Sequence, residues 1–152
     1  MAKIILVFGL PSSGKSALCN YILKEESFKD TEYIKDDEIR RKYNDGDYSV
    51  KGQIRQAEII YKIAYESQKE YALCDFVCPI ASVRNLFKDS YKIYMNTIKS
   101  CRFEGANKMF QPPKEGEYNL EIRSLDNMKQ QAHIISAMAK CQLFSFAQQS
   151  FS

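Results

Sequence analysis

Hydrophobic positions along the chain switch between two periods, and each switch predicts a new element. Ile4, Ile5, Leu6, Val7 and Phe8 form an unbroken β-branched and aromatic run, the pattern of a parallel strand buried on both faces. From Ser16 to Glu26 the period lengthens, with Leu18, Cys19, Ile22 and Leu23 at helical spacing. Tyr33 and Ile34 predict the end of a short second strand, leading into Lys35–Arg41. After the turn cluster Asn44–Asp47, the longest helical pattern runs from Lys51 to Tyr71. Ile54, Ala57, Tyr61 and Ala64 make its stripe, with Ile60 and Ile63 beside it. Ala72–Pro79 predicts a third strand ended by proline, Ser82–Asp89 a short helix, and Tyr91–Ile98 a fourth strand. Tyr118–Ile122 predicts a fifth, and Asn127–Phe146 a closing helix with Ile134, Ile135, Met138 and Leu143, before a fraying tail at Ala147–Ser152. Strands alternating with helices predict an α/β three-layer sandwich around a five-stranded parallel sheet.

A chain of 152 residues is enough for one domain with a real core. Residues 1–152 read as that single domain, with a lid at 99–113. At 45% hydrophobic and 27% charged the composition is ordinary for a soluble globular protein. A net charge of +3, with both signs scattered, is too weak to argue for a nucleic-acid partner. Lys3 ahead of an apolar run resembles a signal peptide, but the run is short and lacks a small-residue cleavage site. Nothing approaches the ~20 apolar residues of a membrane span, so the expectation is a cytoplasmic protein with no membrane partner. Its 5 cysteines are expected as reduced thiols acting as small hydrophobes. Cys74 and Cys78 share a face without the spacing of a zinc knuckle. The single His133 reads as a packing or surface residue.

Candidate chemistry starts where the first strand meets the first helix. Gly9, Leu10, Pro11, Ser12, Ser13, Gly14, Lys15 and Ser16 fit G-x-x-x-x-G-K-[ST], the phosphate-binding loop. Gly9 allows the sharp turn out of the strand, and Gly14 lets backbone approach a phosphate without a Cβ in the way. Inward-pointing N–H groups and the positive end of the helix dipole then favour an anion. Lys15 is expected to reach the β- and γ-phosphates of ATP, and the Ser16 hydroxyl to ligate Mg²⁺. Together with the strand order this predicts a P-loop nucleoside-triphosphate kinase fold.

The second strand tip, where open α/β sheets hold ligands, carries Asp36 and Asp37, followed by Arg40 and Arg41. Two readings stand there: a helix cap with solvated charges, or a base and a cation for an acceptor. Arg55, near the start of the long helix, is an anion contact or a surface ion pair. Asp75 interrupts an apolar strand and is either a magnesium-side carboxylate or an edge one. Lys99–Pro113 mixes cations, two phenylalanines, glycine and a double proline, as a lid over a nucleotide does. Its alternative is a surface loop pinned by Phe103 and Phe110.

These stretches resemble the adenylylsulfate kinase family, over roughly Lys3–Ile122. GLPSSGKS matches that family's phosphate loop, with Ser13 where a glycine or similar small residue is usual. KDDEIR is similar to D-G-D-x-[IV]-R, so Asp37 and Arg40 match while Lys35 replaces the first aspartate. QIRQA resembles N-I-R-R, keeping Arg55 with Gln53 for the asparagine; an earlier family arginine is Val50 here. CPIASVR resembles S-P-Y-R-x-D-R and keeps Pro79 and Arg84. FEGANKMFQPP is similar to F-T-G-I-D-x-P-Y-E-P-P, keeping Phe103, Gly105, Pro112 and Pro113, with Phe110 at the tyrosine. A basic D-P-K-G-L-Y segment is mostly missing, so the lid is shorter, with Lys99–Arg102 remaining.

The resemblance implies transfer of the ATP γ-phosphoryl group to the 3′-hydroxyl of adenosine 5′-phosphosulfate, with Lys15 and Asp37 catalytic and Ser16 on the metal. It implies acceptor binding by Asp37, Arg40, Arg55, Pro79, Arg102 and Phe103, the last by stacking on adenine. The expected partner is a small nucleotide acceptor, and a homodimer is the assembly to look for. Two other readings stand beside it. Phage-type polynucleotide 5′-kinases carry an R-D-D-x-R stretch similar to KDDEIR but have no counterpart to FEGANKMFQPP. A non-catalytic nucleotide-binding protein would keep only the donor side.

Overall fold

Five strands, β1 (Lys3–Phe8), β2 (Thr31–Lys35), β3 (Tyr71–Asp75), β4 (Ser90–Met95) and β5 (Leu120–Ile122), form one sheet in the order β2-β3-β1-β4-β5. Every pairing is parallel. The computed structural model describes residues 2–141. Six helices cover the sheet: α1 (Lys15–Leu23), α2 (Asp36–Lys42), α3 (Val50–Glu66), α4 (Ala81–Arg84), α5 (Glu104–Met109) and α6 (Met128–Lys140). The central position of β1 explains its unbroken apolar run, because both its faces are covered. Ile4, Leu6 and Phe8 enter one core layer with Ala57, Ile60 and Ala64 of α3. Ile5 and Val7 enter the other with Leu18, Cys19 and Ile22 of α1 and Ala132 and Ile135 of α6. Each such side chain, fully buried, contributes about 1.5–3 kcal/mol.

The predicted architecture is present, and the differences lie in element ends and in one added helix. The long helix stops at Glu66, short of the expected Tyr71. Ser67 caps it with extended backbone, and its hydroxyl donates to Glu32 Oε1 at 2.7 Å. Tyr71 instead opens β3, paired with Lys3 and Thr31, its ring edge-on to the buried Phe28 at 4.7 Å. β3 ends at Asp75 instead of Pro79, because β1 pairs with it only to Val7 and β2 only to Lys35. β4 likewise ends at Met95, one residue past its last partner in β1. The lid segment contains a helix, α5, that its sequence did not predict. The predicted end of the closing helix and its tail lie outside the described residues. Among those residues no helix is long and apolar enough to cross a membrane.

Candidate functional site

The phosphate loop leaves β1 at its C-terminal end and curls into α1. Gly9 sits at φ 153° with β4 directly against it: a Cβ there would lie 2.7 Å from the Met95 carbonyl oxygen. Ser12 (φ 68°) and Gly14 (φ 97°) complete the curl with left-handed backbone. The Ser13 N–H donates to Leu10 O at 3.2 Å, and Thr97 Oγ1 donates to Ser13 O at 2.6 Å, so the loop is latched to the exit of β4. Ser13 is fully buried, which admits only a small side chain at this position. Leu125, half exposed, stands over Gly14 from the segment after β5. No motif marks that leucine in the sequence.

Lys15 folds back over the loop and donates to Leu10 O at 2.9 Å. Burial lowers its pKa, and Asp75 is the main charge opposing that shift. Asp75 ends β3 almost wholly buried, and its Oδ2 accepts from Ser16 Oγ at 2.6 Å and from Tyr33 OH at 2.7 Å. Burial also pushes the Tyr33 phenol up, with Asp75 adding to the shift, so the phenol stays a donor. Tyr33 was legible only as a strand residue, since its link to Asp75 needs the β2–β3 register, where Lys35 faces Asp75. Ser16 and Asp75 thus offer a hydroxyl and a carboxylate side by side. Among the described residues no group of three or more His, Cys, Asp or Glu side chains could hold a metal. A hydroxyl and a carboxylate are hard oxygen donors, the kind that Mg²⁺ takes in ones and twos from a protein.

Acceptor-side candidates lie on α2 and on the first turns of α3, with the loop between them supplying Asp45 and Asp47. Asp37 is exposed, and its Oδ1 accepts the Glu38 N–H at 3.0 Å. Asp36 is largely buried, which raises its pKa, while Arg40 pulls it back down. Arg40 is 4% exposed, its Nε 3.4 Å from Asp36 Oδ1. Its Nη1 donates to Asp47 O at 2.9 Å, and the Tyr48 ring covers the guanidinium at 4.1 Å. Arg40 Nε and Nη2 make no hydrogen bond. Arg55 is half exposed and held by Asp45 at 2.9 Å and Asp47 at 3.4 Å. Hydrogen bonds from the Asp47 backbone and from Arg55 hold the Asp45 carboxyl below its usual range. Asp45 also stands 3.9 Å from Arg40, so it couples the two arginines. The sequence showed this acidic stretch only as a turn.

The segment 99–113 divides into two halves. Pro79 is buried, and its carbonyl accepts the Gln111 N–H at 2.7 Å. Arg84, also buried, donates to Cys78 O at 3.0 Å and Gln111 O at 2.7 Å and packs over the rings of Phe8 and Phe110. Phe110 is therefore a core anchor. Phe103 is not: it is 49% exposed, with Arg102 stacked on it at 4.8 Å. Asn107 holds the start of the lid by exchanging two 2.8 Å hydrogen bonds with the Cys101 backbone. His133 is exposed and pairs with Glu25 at 2.8 Å, away from these groups.

A parallel five-stranded sheet with flanking helices and a phosphate loop after its central strand defines a P-loop kinase-like fold. Solved structures share it. The Mycobacterium tuberculosis APS kinase CysC in complex with AMPPNP and APS superposes with a TM-score of 0.72 at 17% identity, over 91% of this chain and 98% of that one. Shikimate kinase from Acinetobacter baumannii in complex with shikimate gives 0.66 at 14% identity, over 93% and 95%. APE1195 gives 0.70 at 15%, over 92% and 95%. No protein-family model matches the sequence, and no curated protein matches it at the sequence level.

Proposed function

We propose that the protein is a phosphotransferase that moves the ATP γ-phosphoryl group to the 3′-hydroxyl of adenosine 5′-phosphosulfate. The observation that carries this reading is Arg40, a buried cation one helical turn beyond Asp36, whose Nη2 has no hydrogen-bond partner and whose Nε meets Asp36 only at ion-pair distance, 3.4 Å. A buried guanidinium with open donors is costly unless an anion completes it. The neighbouring phosphate loop supplies the donor side, and the kinases that share the fold agree with small-molecule phosphoryl transfer.

In this mechanism the loop amides and Lys15 cradle the β- and γ-phosphates, Lys15 exchanging the Leu10 carbonyl for phosphate oxygens. Ser16 and Asp75 would hold Mg²⁺ beside the nucleotide, and the ion would supply neutralisation of phosphate charge. A carboxylate in the first turn of α2 receives the acceptor hydroxyl. Arg40 holds the acceptor's anionic group, and Arg55 joins it as the Asp47 carboxylate gives way. Arg102 and Phe103 cover the acceptor base from the lid, and Pro79 shapes the wall beneath. Preorganised positive charge at the transferred group and exclusion of water supply the rate.

The test is ADP release from Mg²⁺-ATP with adenosine 5′-phosphosulfate and, side by side, a 5′-hydroxyl oligonucleotide. The first should be far the better acceptor. Efficient phosphorylation of the oligonucleotide with no phosphosulfate product overturns the acceptor assignment.

A further inference from the structure

We infer that Asp36, in preference to Asp37, is the catalytic carboxylate that takes the proton of the acceptor hydroxyl. The inference rests on the phosphotransferase reading and narrows it to one residue. Adjacent residues on a helix project about 100° apart, so the two carboxylates of this first turn cannot do the same work. Asp37 faces outward, with one oxygen already accepting the Glu38 N–H. Asp36 follows Lys35, the register partner of Asp75, and so stands at the sheet end where the phosphate loop lies. Its side chain is 18% exposed, and the buried Oδ1 makes no hydrogen bond. Gln56 of α3 donates to the Asp36 carbonyl at 3.0 Å, which fixes the turn from a second element.

The step balances within the ternary complex. The acceptor oxygen forms a bond to the γ-phosphorus while the bond from that phosphorus to the β,γ-bridging oxygen breaks. The bond electrons leave with ADP, and the hydroxyl proton passes to Asp36. Arg40 keeps the carboxylate aimed and holds the acceptor's anionic group.

A rival explanation is that Asp36 only supports Arg40, and the kinetic parameters separate the two. With adenosine 5′-phosphosulfate as acceptor, Asp36→Asn should lower kcat by about 10²–10⁴-fold, the usual worth of a general base. Binding of a fluorescent ATP analogue should change little. Asp37→Asn should lose at least about tenfold less. A rise in acceptor KM with kcat intact overturns the proposal, and so does an equal or larger loss at Asp37. Asp36→Glu, which keeps a carboxylate, guards against misfolding: folded by circular dichroism, it should exceed Asp36→Asn in kcat, and parity between them counts against the idea. If the wild type shows no stimulation by the phosphosulfate, the acceptor assignment has failed. Slow hydrolysis of Mg²⁺-ATP by water in the acceptor's place then becomes the readout. Loss of that hydrolysis in Asp36→Asn, beyond Asp37→Asn, upholds the proposal, and unchanged hydrolysis overturns it.

Discussion

Gly9→Ala tests how tightly the phosphate loop is built against the sheet. A Cβ at this position would lie 2.7 Å from Met95 O, 3.0 Å from Ser13 Oγ and 3.1 Å from Met95 Cβ. Ordinary contact begins at 3.4 Å, and the first obstacle is backbone. Met95 cannot swing aside cheaply, because it pairs with Ile122 and the next N–H, from Asn96, donates to Ile122 O at 2.8 Å. A φ of 153° is itself strained for any side chain, at about 1–3 kcal/mol. Overpacking adds about 1–3 kcal/mol. The total is roughly 2–6 kcal/mol, a large share of the about 5–15 kcal/mol that holds a domain together. At about 2–4 °C per kcal/mol for a domain of this size, the melting temperature should fall by roughly 4–24 °C. Gly105→Ala is the control. It lies within α5 with nothing near the new Cβ, so it should be neutral or stabilising by up to about 1 kcal/mol. Thermal unfolding and titration of a fluorescent ATP analogue read both effects. If Gly9→Ala melts with the wild type and binds ATP as tightly, the loop is not wedged against β4 and the reasoning fails.

Two further substitutions separate the donor side from the acceptor side. Lys15→Ala should lower phosphoryl transfer by about 10²–10³-fold, the loss expected for one stabiliser of developing charge. Full turnover in a folded Lys15→Ala protein would remove the donor site from consideration. Phe103→Ala should leave stability within about 0.5 kcal/mol, because the ring is a surface group. It should weaken acceptor binding by ~1–3 kcal/mol, or one to two decades. An equal loss of ATP affinity would assign Phe103 to the donor side.

What could be read in the sequence was local. Ile4–Phe8 and GLPSSGKS announce themselves because one buried strand and one loop carry the whole pattern over consecutive residues. Helix and strand ends were less legible. Tyr71 continues the helical stripe of α3 in sequence yet pairs with Lys3 in space, a choice made by the sheet. The same holds for the site. Asp75 was visible as a charge in an apolar strand, but its link to Ser16 and Tyr33 depends on parallel register across three strands. KDDEIR presents two equivalent aspartates until the helix fixes one inward and one outward. Arg55 reads in the sequence as an anion contact or a surface ion pair, but its partner Asp45, from a stretch that reads only as a turn, and the link through it to Arg40 need the fold.

Arg84 has a mechanical meaning for the lid. Its guanidinium ties the carbonyls of Cys78 and Gln111 together between two aromatic rings, so the segment is riveted to the sheet at its far end. The near end, around Arg102 and Phe103, is exposed and held chiefly by the Asn107–Cys101 clasp. Any swing over the site then pivots about the riveted end, and its throw is greatest at Phe103. Amide exchange should divide the segment along the same line, slow at Phe110 and Gln111 and fast before Glu104. The arginine of CPIASVR thus works in this fold as a buried pin that joins the exit of β3 to Gln111.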